Sequence, residues 1–313
     1  MRTSVLAGLA AALPSTFAYH GFNYGATNLD GSVRVQSDYE AQFNAAKSLA
    51  GTNGQFTSAR LYTSVQGTTG GPNSAFAAAV NTQTSLLLGI WISGNPNIQT
   101  EIDAILSAAS SQGSAFTDLV AGISVGSEDA YRVTDLGIAS GAGPGVDPQG
   151  IANYISQVRS GLSGNSALAG KPIGHVDTYN TYANSSNWMA PVVEASDFIG
   201  MNAFPYFEST KANGIENANS TYYADLAATE ANAQGKPIWV TETGWPSSGP
   251  VSGAATASVA NAEEYYAQVG CSLLSSGRNV WWYTLQDSTA DASVPSFGVV
   301  SDLSFTPKYD LSC

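Results

Sequence analysis

Two glutamates stand directly after apolar runs, where a carboxylate is costly to keep unless it has a use. Glu242 lies within residues 239–246 (WVTETGWP), and Glu128 ends the run 119–128 (LVAGISVGSE). A charged group at the mouth of an apolar strand loses solvation, so such positions indicate functional sites. One carboxylate as acid and a second as nucleophile are what cleavage of a glycosidic bond requires. The pair therefore predicts glycosidase chemistry.

The composition limits the kinds of partner. The chain has 313 residues, of which 43% are apolar and 10% aromatic, so one large domain with a sizeable core is expected. Only 11% of the residues are charged, and the formal net charge is −13. Nucleic acids and anionic membranes select basic surfaces, so both are excluded as partners. An uncharged polymer remains compatible with this balance.

The first 18 residues have the features of a signal peptide. Arg2 provides a positive start, residues 5–13 form a short apolar run, and small residues end the segment at Ala18. Cleavage after Ala18 and secretion are expected, the alternative being a buried N-terminal helix. The apolar run is too short to span a membrane.

Cysteine and asparagine positions also fit an exported protein. Cys271 and Cys313 are the two cysteines of the chain, and in an oxidising compartment pairing is the default. Two buried free thiols are the alternative. Asn184 and Asn219 begin Asn-x-Ser/Thr triplets and are candidate glycosylation sites.

Eight short apolar runs alternate with helical patterns along the chain. The predicted strands are 19–24, 55–62, 85–92, 118–126, 172–178, 197–203, 237–242 and 279–285. Alternation of this kind predicts a parallel sheet. Eight such strands favour a single α/β domain over residues 19–313, a (β/α)₈ barrel with its active site at the C-terminal strand ends. An open doubly wound sheet is the competing architecture.

The predicted strand ends are rich in aromatic and acidic residues and poor in cations. Phosphate or carboxylate substrates would need cations, whereas sugars need aromatic faces and hydrogen-bonding groups. This composition favours a carbohydrate. The candidate substrate-binding residues are Tyr24, Tyr62, Ser127, Tyr179, Asn202, Phe204, Phe207, Glu208 and Trp245. We expect Tyr24, Tyr62, Phe204, Phe207 and Trp245 to stack on sugar rings, and Glu208 to bind acceptor hydroxyls.

The residues give little support to two other kinds of site, a serine hydrolase triad and a metal site. Residues 122–126 (GISVG) match the Gly-x-Ser-x-Gly pattern of serine hydrolases, but Ser124 lies inside an apolar run rather than at a sharp turn. His175 is the one histidine downstream of it and precedes three further strands, which fits a catalytic triad poorly. Two histidines and two cysteines show no ligand spacing, so no metal and no cofactor are expected.

Several segments resemble glycoside hydrolase family 17, the β-1,3-glucan hydrolases and glucanosyltransferases of plants and fungi. They are 125–128 (VGSE), 241–247 (TETGWPS), 21–25 (GFNYG), 60–62 (RLY) and 202–207 (NAFPYF). The resemblance implies a barrel with Glu128 as acid/base and Glu242 as nucleophile. Many relatives in the wider clan have asparagine before the acid/base, where this chain has Ser127.

The resemblance implies a secreted, retaining enzyme, expected as a monomer, that acts on the β-1,3-glucan of cell walls. Glu242 attacks the anomeric carbon while Glu128 protonates the leaving oxygen and then activates the acceptor. The aromatic segment 204–208 favours transfer to a sugar acceptor besides hydrolysis. The alternatives are a strictly hydrolytic endo-β-1,3-glucanase and a non-catalytic wall protein that only holds glucan.

Overall fold

The computed structural model describes residues 18–95, 97–184 and 186–313, so the predicted signal segment lies almost entirely outside the described part. All eight predicted strands are confirmed, each somewhat shorter than predicted at one or both ends. They are β1 His20–Tyr24, β2 Ser58–Leu61, β3 Ser85–Ile90, β4 Val120–Ser127, β5 Ile173–Thr178, β6 Ile199–Asn202, β7 Ile238–Glu242 and β8 Val280–Trp282. Each strand pairs in parallel with the next, and β8 pairs with β1, so the sheet is a closed barrel. The (β/α)₈ prediction is confirmed and the open sheet is excluded.

Helices surround this barrel and connect its strands. They are α1 Gln36–Lys47, α2 Ala75–Thr82, α3 Gln99–Gln112, α4 Ser114–Thr117, α5 Asp129–Arg132, α6 Asp135–Ala139, α7 Pro148–Leu162, α8 Tyr179–Tyr182, α9 Ala190–Ala195, α10 Ile215–Asn232, α11 Val259–Tyr265 and α12 Cys271–Ser275. A π-helical turn, Tyr266–Gly270, joins α11 to α12, and a 3₁₀ turn, Pro205–Phe207, follows β6. The start of α7 follows from its sequence, because the Asp147 side chain accepts a hydrogen bond from the Gly150 backbone and Pro148 occupies the first turn.

Large side chains fill the interior of the barrel. Trp239 stacks on Phe198 with ring centroids 3.8 Å apart and contacts Trp281 at 5.8 Å. A Cβ atom at Gly122 would lie 2.9 Å from the Trp239 ring, so glycine in β4 makes room for an indole from the opposite side of the barrel. Trp282 follows Trp281 in β8, so its side chain points away from the barrel interior, and it packs on Tyr266 in the helix layer.

The C-terminus is tied to the helix layer by a disulfide. Cys271 at the start of α12 is bonded to Cys313, with Cα atoms 5.3 Å apart, so the predicted pairing is confirmed. Asn184 is exposed, whereas Asn219 lies half-buried within α10. Glycosylation of either stays a prediction. Within the described residues no helix has the length and apolar character that crossing a bilayer would take.

Candidate active site

Glu242 is the last residue of β7 and is only 7% exposed. One oxygen of its carboxylate, Oε1, lies 2.5 Å from Nη1 of Arg60 and accepts a hydrogen bond from the Tyr62 hydroxyl at 3.0 Å. A guanidinium and a phenol together stabilise and orient the charged carboxylate. Within the described part of the chain both donors meet Oε1, which leaves Oε2 available to a substrate atom.

Arg60 connects four strands of the barrel beneath Glu242. It is fully buried in β2, and Nη1 also donates to Asn23 Oδ1 of β1 at 2.7 Å. Nη2 donates to the Ser127 hydroxyl of β4 at 3.0 Å, and the guanidinium lies 4.7 Å from the centre of the Tyr62 ring. In the sequence, Arg60 was noted only as part of the segment 60–62 and was given no role, because catalytic groups were expected at strand ends. The expectation of a site nearly free of cations is therefore wrong at Glu242.

Glu128 lies where the chain turns from β4 into α5. Its backbone has φ +61° and ψ 28°, the left-handed conformation that is strained for residues other than glycine and is found mostly where the surroundings enforce it. Asn202 of β6 donates its side-chain amide to Glu128 Oε1 at 2.9 Å. The amide is itself oriented by the Thr241 hydroxyl, which donates to Asn202 Oδ1 at 2.8 Å. The acid/base candidate therefore has a neutral partner where Glu242 has a cation.

The surroundings of Glu128 favour its protonated form. Burial raises its pKa first, the nearby Glu242 charge raises it further, and the Asn202 hydrogen bond opposes both. The resulting pKa is about 7. A carboxyl group with this pKa can hold a proton near neutral pH and release it to a leaving group.

A cleft opens over the carboxylates in two parts, with volumes of about 850 Å³ and about 560 Å³. Glu128, Glu242 and Tyr283 line both parts, so the two cavities meet at the carboxylate pair. We call the larger one the polar half; its lining includes Tyr62, Trp91, Arg132, Ser288, Thr289 and Asp291. The smaller one is the aromatic half; its lining includes Tyr131, Tyr179, Phe204, Phe207 and Phe297. A chain of sugars laid along this cleft would cross the two glutamates.

Most of the candidate residues from the sequence line this cleft. Tyr62 and Ser127 lie in the polar half. Five others lie in the aromatic half: Tyr179, Asn202, Phe204, Phe207 and Glu208. Tyr283 and Asn23, which also line the cleft, were not among the predicted binding residues. Asn23 precedes Tyr24 in β1, and because successive side chains of a strand alternate between its faces, Asn23 takes the barrel interior when Tyr24 takes the helix side.

The structure corrects two of the predicted stacking residues, Tyr24 and Trp245. Tyr24 is 2% exposed and packs edge-on against Phe43 of α1 at 5.0 Å, on the helix side of β1. Trp245 is 1% exposed, packs on Tyr206 at 5.4 Å, and donates its indole N–H to the Thr256 carbonyl at 3.0 Å. Neither ring reaches the cleft, so neither stacks on a sugar.

Glu208 belongs to a small charged cluster behind the aromatic half. Its Oε2 accepts a hydrogen bond from the Tyr179 hydroxyl at 2.6 Å and contacts the Lys211 ammonium. Lys211 also binds Asp225 at 3.0 Å. Burial, followed by the hydrogen bond and charge of Glu208, raises the pKa of Asp225 to about 8. Glu208 therefore holds the Tyr179 ring at the edge of the cleft, besides lining it.

No group of three or more His, Cys, Asp or Glu side chains suited to a metal ion occurs in the described ranges. The site is built from carboxylates, one buried arginine, amides and aromatic rings. A closed (β/α)₈ barrel with two glutamates at the ends of β4 and β7 and a cleft crossing them defines a carboxylate-pair glycoside hydrolase.

Comparison with known proteins agrees with this class. The chain belongs to the BtgE/BtgC glycoside hydrolase family, whose sequence profile matches residues 21–299. A relative in Aspergillus oryzae, named probable glucan endo-1,3-β-glucosidase, is 50% identical over an alignment of 313 residues. The alignment covers 99% of this chain. This chain spans about two thirds of the length of such relatives, 66% for this one and 70% for one from Aspergillus fumigatus.

Solved structures with a similar fold include enzymes of glycoside hydrolase family 17, which confirms the resemblance to that family. The glycoside hydrolase family 17 β-1,3-glucanosyltransferase from Rhizomucor miehei matches with a TM-score of 0.74 and 26% identity. The match covers 94% of this chain and 97% of that one. An active-site mutant of that enzyme, solved in complex with laminaritriose, matches with a TM-score of 0.73 and the same identity and coverage.

Proposed function

We propose that this protein is a retaining enzyme that cleaves β-1,3-glucan, with Glu242 as nucleophile and Glu128 as acid/base. The observation that carries this assignment is the difference between the two carboxylates. Glu242 is paired with a buried cation, while Glu128 has a pKa of about 7. The names of the relatives, and the complex of one structural neighbour with laminaritriose, support β-1,3-glucan as the substrate.

The reaction proceeds in two steps. Glu242 attacks the anomeric carbon, the bond to the leaving oxygen breaks, and that oxygen takes the proton of Glu128. Glu128, now ionised, removes a proton from water or from a sugar hydroxyl, whose oxygen attacks the same carbon and releases Glu242. Arg60 and Tyr62 hold Glu242 in place throughout, and Asn202 holds Glu128.

Product analysis on defined β-1,3-oligosaccharides tests this function. Mass spectra recorded over time should show cleavage products, and laminarin should release reducing ends. Glu242→Gln serves as the matched control, because it preserves the shape of the site and removes the nucleophile. Binding of laminarin with neither a release of reducing ends nor any change in chain length would instead support a non-catalytic wall protein.

We further propose that the enzyme transfers glucan chains as well as hydrolysing them. The aromatic half of the cleft supports this, because Phe204, Phe207 and Tyr179 offer ring faces beside the carboxylate pair and Phe207 is 52% exposed. Stacking there would raise the local concentration of a sugar acceptor relative to water. Oligosaccharides incubated at millimolar concentration should give products longer than the substrate. Strictly shorter products at every concentration would make the protein a plain endo-hydrolase.

We propose that the mature protein begins at Tyr19, is secreted as a monomer and works in the cell wall. The disulfide, the weakly charged composition and the glucan-directed names of the relatives support this location. The intact mass of the secreted protein tests the cleavage site and shows whether Asn184 or Asn219 carries glycans. Size-exclusion chromatography with light scattering tests the monomer.

A further inference from the structure

His175 lies in β5, next to the strand that carries Glu128, and none of its side chain is exposed. Its ring meets an oxygen atom on each side. Nδ1 lies 2.6 Å from the Val125 carbonyl oxygen of β4, and Nε2 lies 2.9 Å from Oδ2 of Asp177. A carbonyl oxygen only accepts hydrogen bonds, so Nδ1 carries a proton.

The contacts of Asp177 determine where the second proton lies. Its Oδ2 accepts from the Ala130 backbone N–H at 2.9 Å, and its Oδ1 accepts from the N–H groups of Tyr131 at 3.2 Å and Thr178 at 2.8 Å. Three backbone donors stabilise a negative charge on this carboxylate. The proton between Asp177 and His175 therefore belongs on Nε2, and the imidazole carries two protons.

The charges around His175 agree with this state. Burial alone lowers its pKa, but the hydrogen bond and charge of Asp177, the charge of Asp129 and the Val125 carbonyl outweigh burial and raise the pKa above the usual value. From α8, Tyr182 donates its hydroxyl to the His175 carbonyl at 3.1 Å. On α5, the positively charged residue is Arg132, whose Nη1 lies 4.0 Å from Oδ1 of Asp129.

We propose that His175 is a positioning residue for the acid/base glutamate. As a buried imidazolium it holds the Asp177 carboxylate against the N–H groups of Ala130 and Tyr131. These two residues follow Glu128 almost directly, so the pair fixes the turn in which Glu128 has its left-handed backbone. This inference rests on the proposed role of Glu128 as acid/base.

Loss of the imidazolium should impair proton delivery but leave the nucleophile intact. Asp177 would keep a buried charge without its partner, which is costly and shifts the start of α5. Glu242, by contrast, is held by Arg60 and Tyr62 on the other side of the barrel. A displacement of about 1 Å of a reacting group costs about 10²-fold in rate. The defect should therefore depend on whether the leaving group needs a proton.

The test compares two substrates in matched histidine variants. His175→Gln removes the imidazolium, and His20→Gln is the control, since His20 begins β1 at the opposite end of the barrel. On a β-1,3-oligosaccharide, His175→Gln should lose about 10²-fold in kcat/KM. On a 2,4-dinitrophenyl β-laminaribioside, whose phenolate leaves without a proton, the loss should be at most about threefold, because this substrate bypasses proton delivery. Equal losses on both substrates, or none on the oligosaccharide, would overturn the proposal.

Two further measurements separate the possible failures. Glu128→Gln, assayed alongside, should show the same leaving-group dependence; equal losses there would refute the role of Glu128 rather than that of His175.

Nitrogen-15 NMR of His20→Gln protein with labelled histidine observes His175 alone, since the chain has two histidines. Both ring nitrogens should carry protons at pH 7. An unprotonated Nε2 in the folded protein would overturn the proposal even if His175→Gln does not fold.

Discussion

The ends of β4 and β7 carry the same amino acid at equivalent places of the barrel but surround it differently. At β7, Glu242 is the last residue of the strand and meets the Arg60 guanidinium and the Tyr62 phenol. At β4 the backbone turns left-handed at Glu128, whose partner is the neutral amide of Asn202. One carboxylate is stabilised as an anion, and the other has a pKa raised to about 7. The proposed roles of nucleophile and acid for two otherwise identical side chains rest on this difference.

The largest effects should follow from removing either carboxylate. Glu242→Gln should lose several orders of magnitude in kcat, because no other group near the anomeric carbon replaces the nucleophile. Glu128→Gln should lose about 10²–10⁴-fold on substrates with sugar leaving groups. Steady-state kinetics with circular dichroism as a folding control measure both. Near-normal turnover in either folded variant would remove that glutamate from the mechanism.

The cation at Glu242 should matter next. Arg60→Met leaves a buried carboxylate without its charge partner, so kcat should fall by about 10²–10³-fold, as for loss of a preorganised electrostatic contact. Breaking a buried pair also destabilises a fold by about 3–5 kcal/mol, which thermal unfolding would register.

Arg60→Lys is the matched control, because it keeps the charge but not the fork that also binds Asn23 and Ser127. It should lie between the wild type and Arg60→Met in kcat. Equal activity of all three proteins would show that the cation plays no part in making Glu242 the nucleophile.

The pH dependence tests the acid side of the comparison. Glu128 must be protonated in the first step and its pKa is about 7, so kcat/KM should decline about tenfold per pH unit above that pH. In Glu242→Gln, loss of the neighbouring negative charge should lower the pKa of Glu128. In Asn202→Ala, loss of the amide hydrogen bond should raise it.

Infrared or carbon-13 NMR titration of the Glu128 carboxyl group measures these shifts directly, without requiring turnover. The two variants should move the pKa in opposite directions. Shifts of the same sign would mean that the charge of Glu242 and the amide of Asn202 do not act on Glu128 as the geometry indicates.

The smallest effect concerns the aromatic half of the cleft. Phe207→Ala removes an exposed ring that lines this half, so elongated products should decrease several-fold while hydrolysis changes little. Product ratios from mass spectrometry at fixed conversion measure this. Trp245→Phe is a suitable control, because that ring is buried away from the cleft and should leave the ratio unchanged. An unaltered ratio in Phe207→Ala would exclude this ring from acceptor binding.

The sequence predicted the barrel and both glutamates because their signals are local. Apolar runs bounded by turn residues define the strands, and a carboxylate directly after such a run is visible by inspection. Tyr24 and Trp245 were assigned to the cleft wrongly because their direction depends on the pleat of β1 and on packing after β7. A residue's distance from the strand end does not reveal which side of the sheet its side chain takes.

The role of Arg60 was missed for a different reason. It is 182 positions from Glu242 along the chain, and their contact exists only after the barrel closes. The same holds for Asn202 and Glu128, which are 74 positions apart. The available signal was a charged residue in the middle of a predicted strand, as Arg60 is in β2, since a buried arginine requires a partner.

The assignment of roles to the two glutamates has one direct test. Glu242→Ala and Glu128→Ala proteins are given azide and a β-glucosyl donor with an activated leaving group, and the anomeric configuration of the glycosyl azide is read by NMR. Azide replaces the missing nucleophile in Glu242→Ala and should give the α-azide in a single displacement. In Glu128→Ala it intercepts the glycosyl-enzyme and should give the β-azide. A β-azide from Glu242→Ala together with an α-azide from Glu128→Ala would reverse the roles and contradict this account.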